Sequence, residues 1–131
     1  MPIDLKTHPV HLGLGARVTP QPTFTGMEWY AAYAQRTAQD GAEGRLVAVH
    51  TFTKPWDSWE RHPHGEELVF CTHGALVLIQ EIDGEEVRTP LRAGEAAINP
   101  AGVWHTADAD ESATVLFITA GMGTEGRPRA Q

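Results

Sequence analysis

The sequence predicts an all-β protein, a barrel or sandwich of short strands, with one short N-terminal helix. Three observations carry that reading. Apolar and β-branched runs recur from residue 46 onward, each bounded by Gly, Pro or Asp. Asp83-Gly84 between two such runs is a hairpin signal, because both central turn positions need positive φ. The 13 Gly and 9 Pro in 131 residues suit many short elements joined by turns. Hydrophobic residues make up 41% of the chain, enough for one packed domain and too short a chain for two of usual size.

Residues 1–24 contain Pro2, Pro9, Pro20 and Pro22 and read as extended arms and turns. Such an arm lies along a sheet edge or swaps onto a partner chain. Thr25-Gly26-Met27-Glu28 reads as a capping box, in which the Thr25 hydroxyl and the Glu28 carboxylate each take an orphan backbone N–H. Residues 27–38 follow as a helix, rich in alanine, with Trp29 and Tyr33 on one face and Tyr30 beside them. Asp40-Gly41 and Gly44 end it. Strands are then predicted over residues 46–53, 59–61, 68–71, 75–82, 85–91, 96–99, 104–107 and 113–120. The tail from Gly121 reads as frayed or loosely packed. The expected organisation is therefore an arm and helix over 1–45, a barrel over 46–120 and a tail over 121–131.

The formal net charge is −7, and the 10 Lys and Arg form no cluster, which argues against nucleic acid as a partner. A single cysteine, Cys71, rules out an internal disulfide framework and fits a reducing compartment. No apolar stretch has signal-peptide or membrane-spanning character. A cytoplasmic protein with no membrane partner is expected.

Two segments carry candidate chemistry. In Glu60-Arg61-His62-Pro63-His64-Gly65-Glu66-Glu67, an extended backbone points His62 and His64 to one side. Gly65 lets the chain turn so that a glutamate returns to the same space. Two imidazoles and a carboxylate suit a first-row divalent metal, although a bare His-x-His is also compatible with a solvated pair. In the second segment, Pro100 and Gly102 make a tight turn, and His105 enters the next strand beside Trp104. Alone, His105 reads as a satisfied core histidine.

Together the two segments resemble the paired motifs of the cupin family. His62, His64, Glu67 and Gly74 match the first motif, and Gly94, Pro100, Gly102 and His105 match the second without a gap. The sequence departs from the pattern at Trp56, where the first motif opens with Gly, and at Ala109, where the second closes with Asn. Only Gly65 and Glu66 separate His64 from Glu67, one residue fewer than usual, so Glu66 competes with Glu67 as the carboxylate. The resemblance covers roughly residues 46–120. It implies a cupin-type double-stranded β-helix, a jelly-roll barrel, holding one divalent transition metal ion (Fe, Mn, Ni, Cu or Zn) on His62, His64, Glu67 and His105. Open positions on that ion would serve catalysis.

Around this site, His50 reads as either a pocket base or a buried structural histidine, and Glu60 as either inward-facing or on the surface. Both are candidate catalytic residues. Cys71 reads as core filler, and Trp56, Trp59 and Trp104 as core or pocket walls. His8, His11 and His73 have no partner that the sequence names. Three functions remain open: a metal-dependent enzyme such as a dioxygenase acting on a small molecule, an isomerase or epimerase using the metal as Lewis acid, and a non-catalytic small-metabolite module. A homodimer is the expected assembly.

Overall fold

A computed structural model describes residues 1–130. The described residues form ten strands, one helix and two short 3₁₀ turns. The N-terminal arm is a hairpin of β1 (Val10–Gly13) and β2 (Arg17–Pro20). Then come the helix α1 (Glu28–Arg36) and a 3₁₀ turn over Ala38–Glu43. The remaining strands are β3 (Arg45–Phe52), β4 (Ser58–Arg61), β5 (Glu67–Ile82), β6 (Glu85–Arg92), β7 (Ala96–Asn99), β8 (His105–Asp108), β9 (Ala113–Thr119) and β10 (Glu125–Pro128). No helix among the described residues is long and apolar enough to cross a membrane.

All pairing is antiparallel. One sheet runs β2–β1–β3–β9–β5–β7, and the other runs β6–β5–β8–β4–β10. Strand β5 belongs to both. Its first half pairs with β9 and β7, and its second half pairs with β6 and β8. The two runs expected at 68–71 and 75–82 are therefore one strand that changes sheet. The change happens at a register shift between Cys71 and His73, just before Gly74. Gly74 has φ +76°, and a Cβ there would collide with the Ser112 carbonyl. A glycine is required on both counts. This corner folds the two sheets face to face as a double-stranded β-helix.

The core lies between the sheets. Val69, Cys71, Leu76, Leu78, Ala107, Val115 and Phe117 point inward from alternate positions of β5, β8 and β9 and are buried together. Cys71 is fully buried filler. The hairpin turn forms as expected, with φ of 53° at Asp83 and 80° at Gly84.

Three sequence expectations are corrected. The capping box does not form: Met27 is the N-cap, no side chain caps it, and the helix spans only Glu28–Arg36. Instead Thr37 ends the helix, its hydroxyl donating to the Tyr33 carbonyl at 2.9 Å. The tail does not fray, because β10 pairs with β4 from Arg61↔Glu125 to Ser58↔Pro128. Its side chains explain why. The Arg127 guanidinium lies over the rings of Trp59 (5.3 Å) and Trp104 (4.5 Å) and bonds Glu81 at 2.6 Å. Arg61 covers Trp104 (4.7 Å) and pairs with Glu125. Trp59 and Trp104 are thus walls on the outer side of this sheet, held by cation–π contact. Finally, His11 does have partners: it is buried between Tyr33 Oη and Asp40 Oδ2, each at 2.6 Å.

Candidate metal centre

Strand register assembles the site from two facing rows. In one sheet Glu67 is paired with Asn99 on one side and Thr119 on the other, and Thr119 is paired with Leu46. In the other sheet His105 is paired with Gln80 and with Glu60. His62 follows β4 by one residue and closes the space between the rows.

Within that space His62 Nε2 stands 3.4 Å from Glu67 Oε2, and His105 Nε2 stands 3.3 Å from Glu67 Oε1. The two imidazole centroids are 5.1 Å apart. Glu60, His62 and His105 each offer a ligand atom within 4.8 Å of the others. Glu67 is 4% exposed, whereas Glu66 is exposed, so Glu67 is the inward carboxylate of the competing pair.

Hydrogen bonds fix which atoms face the site. Thr124 donates its hydroxyl to the Gly121 carbonyl at 2.8 Å, so its oxygen accepts from His62 Nδ1, also at 2.8 Å. His105 Nδ1 faces the Val103 carbonyl at 3.4 Å, which can only accept. With Nδ1 protonated, the neutral form of each ring presents a lone pair at Nε2. Both Nε2 atoms are buried and have no hydrogen-bond partner among the described residues. In these neutral forms two lone pairs converge on a carboxylate, a repulsive set that a cation relieves, either a metal ion between them or the proton that Glu67 and Glu60 draw to His62. The 3.3–3.4 Å separations also fit such an ion: two donors about 2.1 Å from one centre at near-tetrahedral angles lie about 3.4 Å apart. The residues present thus fit a divalent metal.

An outer shell orients the carboxylate. Asn99 Nδ2 donates to Glu67 Oε1 at 2.9 Å, and Thr119 Oγ1 donates to Oε2 at 2.6 Å. Gln80 Nε2 donates to Asn99 Oδ1 and to the Ile98 carbonyl, each at 2.8 Å, fixing the Asn99 amide in turn. Such partners set ligand direction and basicity. Asn99, Gln80, Thr119 and Thr124 carry no motif of their own. Only the pairing partners of Glu67 and His105 could have pointed to the first three.

Charge follows this layout. Burial pushes Glu67 up, but His62, His105 and Thr119 outweigh it and hold the carboxyl below its ordinary value. Burial pulls His62 down, yet Glu67 and Glu60 lift it above the usual imidazole range. His105 is lowered, chiefly by burial. Glu60 is raised by burial and then by the Glu67 charge.

The expected residues divide. His62, Glu67 and His105 come together, and Glu60 faces inward with them. His64 does not join them. It sits exposed in the turn after His62, and a Cβ on Gly123 would be 3.1 Å from its ring. The alternation that would align His62 with His64 ends at Arg61, because β4 stops there and Pro63-His64 forms a turn. His50 points inward from β3 but is surrounded by aromatic rings: Phe24 at 5.1 Å, and Phe52 and Phe117 each at 6.2 Å. Burial pulls it below the ordinary imidazole value. Sequence reasoning gave Tyr30 no role, yet its hydroxyl lies 3.4 Å from His50 Nε2. Burial, then Glu60 and Glu67, push its phenol up to about 12.

The Cupin domain family matches residues 47–120. The chain belongs to that family. Solved cupin-fold structures agree on the architecture. A conserved protein with a double-stranded β-helix domain from Klebsiella pneumoniae subsp. pneumoniae is 21% identical, with TM-score 0.53, over 66% of this chain and 76% of that one. An oxalate oxidase is 18% identical, with TM-score 0.53, over 61% of this chain and 44% of that one. A search of curated proteins finds no match. The match begins at Val47, so the arm and α1 of this cupin lie outside the matched segment.

Proposed function

We propose that this cupin is a metal-dependent enzyme acting on a small organic molecule, with dioxygenase chemistry as the first reading. The carrying observation is the pair of tautomer-fixed, partnerless Nε2 atoms of His62 and His105 converging on Glu67. Those three residues would hold one divalent ion, with Glu60 within reach as a further oxygen donor. Two imidazoles and one carboxylate form the donor set that leaves adjacent positions open in non-haem iron oxygenases. When bound, the ion would polarise a coordinated oxygen and, if it is iron, activate dioxygen. The protein's own part is to orient these donors through Asn99, Thr119 and Thr124 and to exclude bulk water with the surrounding aromatic side chains. The likeness to an oxalate oxidase supports the fold; the reaction reading rests on the donor set.

A second reading is supported by Glu60. This carboxylate faces the cluster and is held toward its neutral form by burial and by Glu67, which makes it a stronger base when ionised. An isomerase or epimerase would use it to move a proton. His50, 3.4 Å from the Tyr30 hydroxyl, is the other candidate base.

Elemental analysis of the purified chain tests the centre, with about one transition metal ion per chain expected. Retention of no ion by the wild type after loading with Fe(II), Mn(II) or Zn(II) would overturn it. Oxygen uptake by the Fe(II)-loaded protein across a substrate panel separates the two enzymatic readings. Ligand-induced stabilisation with no turnover on any substrate would favour a binding module. A homodimer and a cytoplasmic location belong to the same proposal. In support of a dimer, β2 is an edge strand exposed along its whole length, with Val18 62% exposed. Sedimentation equilibrium measures that state.

A further inference from the structure

The N-terminal hairpin and the end of α1 enclose a second cavity, of about 370 Å³, on residues that belong neither to the proposed metal centre nor to the matched segment 47–120. His11 from β1, Arg17 and Thr19 from β2, Arg36 from the last turn of α1, and Gln39 and Asp40 from the 3₁₀ turn line it. That volume lies within the range of small-molecule sites. Pro20 and Pro22 stiffen its rim. His11 is 5% exposed and holds Asp40 through Nε2 at 2.6 Å. Gly13 and Gly44 leave the room for that pair. A Cβ on Gly13 would stand 2.8 Å from Asp40 Oδ2, and one on Gly44 would stand 2.7 Å from His11 Cε1.

Two arginines set the charge of this cavity. Elsewhere in a chain of net charge −7, Arg61, Arg88, Arg127 and Arg129 each pair with a carboxylate. Arg17 and Arg36 have no carboxylate partner among the described residues, and both line this one cavity. Arg36 is also fixed in place. Its Nε and Nη2 donate to Gln21 Oε1 at 3.2 and 3.1 Å, and its guanidinium lies 5.5 Å from the Trp29 ring centroid. Gln21 is 8% exposed and is held in turn. Its Nε2 donates to the Thr19 carbonyl at 3.3 Å, and its backbone N–H donates to the Pro9 carbonyl at 2.9 Å. A buried neutral amide thus takes one edge of the guanidinium without cancelling its charge, and Nη1 has no protein partner among the described residues. A guanidinium already ordered loses little freedom when it binds an anion. Asp40, the one acid in the wall, commits Oδ2 to His11, which leaves Oδ1 as an acceptor.

We propose that this cavity binds a small hydroxylated phosphate ester. Two arginines match the charge of a phosphate monoester, which approaches −2 above its second pKa of about 6. Asp40 Oδ1, the Thr19 hydroxyl and the Gln39 amide are placed in the wall to meet the hydroxyls of the ester. The volume leaves room for an organic part beside the phosphate. A neutral ligand leaves both charges unanswered, and a monocarboxylate answers one. The site stands apart from the metal centre, since no proposed metal ligand lines it, so its occupancy does not depend on a bound ion.

Isothermal titration of the full chain in low salt tests this with three probes. They are glycerol 3-phosphate, glycerol (hydroxyls without the charge) and inorganic phosphate (charge without the organic part). We expect glycerol 3-phosphate to bind about tenfold more tightly than inorganic phosphate, and glycerol not to bind. Arg17→Gln and Arg36→Gln, both at exposed side chains, should each weaken it about tenfold. A chelator should leave the titration unchanged. In the isotope-labelled wild type, the ester should shift amide resonances of Arg17, Gln21 and Arg36, and leave those of His62 and His105 in place. Equal affinity for inorganic phosphate would reveal an adventitious ion only and overturn the proposal. So would unchanged affinity in either folded arginine variant, or binding that the chelator abolishes. If an arginine variant does not fold, the wild-type shift map decides alone, and shifts confined to β4, β5 and β8 would sink the idea.

Discussion

His62 and His105 are the proposed ligands because of what their far nitrogens do. Thr124 and the Val103 carbonyl accept from Nδ1, so the neutral form of each ring turns an Nε2 lone pair toward Glu67. Removing either imidazole deletes a donor from a buried set, whereas His64 stands outside it. Equilibrium dialysis with Zn(II) should therefore show affinity losses of about a hundredfold or more for His62→Ala and His105→Ala. His64→Ala should stay within about threefold of wild type, and a loss matching that of His62→Ala would restore His64 to the site. His50 yields a pH prediction of its own. Burial places its folded pKa below the ordinary 6.5. The unfolded chain then takes up the proton first, so its stabilising contribution is complete above the unfolded pKa and is lost as pH falls through the folded one. Urea denaturation of His50→Phe across pH 7 to 4.5 should be flatter than that of wild type. Parallel curves would mean that His50 is not titrating as a buried group.

At the scale of elements, two short pieces do more than their length suggests. Strand β10 lies in the segment read as a loose tail, yet it brings Thr124 to His62 and covers Trp59 and Trp104 with Arg127. Thr124→Val keeps the shape and removes the acceptor of His62 Nδ1. It should cost about tenfold in zinc affinity while leaving the melting temperature nearly unchanged. The bend of β5 at Gly74 is the other piece. Alanine there meets both the positive φ and the Ser112 carbonyl, and should destabilise by about 3 kcal/mol in urea titration. A cost near zero would show that the corner can shift. The helix was legible through Trp29 and Tyr33, which stack at 5.4 Å with planes 6° apart. Its expected cap was not, since Thr25-x-x-Glu28 describes a local option and the turn from Gly26 took another one.

For the whole molecule, the site is a joint between two sheets, so binding there and folding are coupled. An ion held as proposed by His62, Glu67 and His105 would tie β5 and β8 to the turn after β4, and would have no such site in the unfolded chain. Zinc at about a hundred times its dissociation constant should raise stability by about 2.7 kcal/mol, and a chelator should reverse it. An unchanged melting curve with zinc bound would place the ion outside this joint. The strands, the Asp83-Gly84 turn, the buried Cys71 and the positions of His62, Glu67 and His105 were readable from the chain. Alternation, turn chemistry and motif spacing are local properties, and local properties survive in a sequence. The roles of Asn99, Gln80 and Thr119, the exclusion of His64, the inward turn of Glu60 and the partners of His11 were decided by tertiary structure. Each depends on which residue lies opposite another across a strand pair, or on where a strand stops. Register is a relation between distant segments, set by the common burial of two faces, and no single stretch of the sequence contains it.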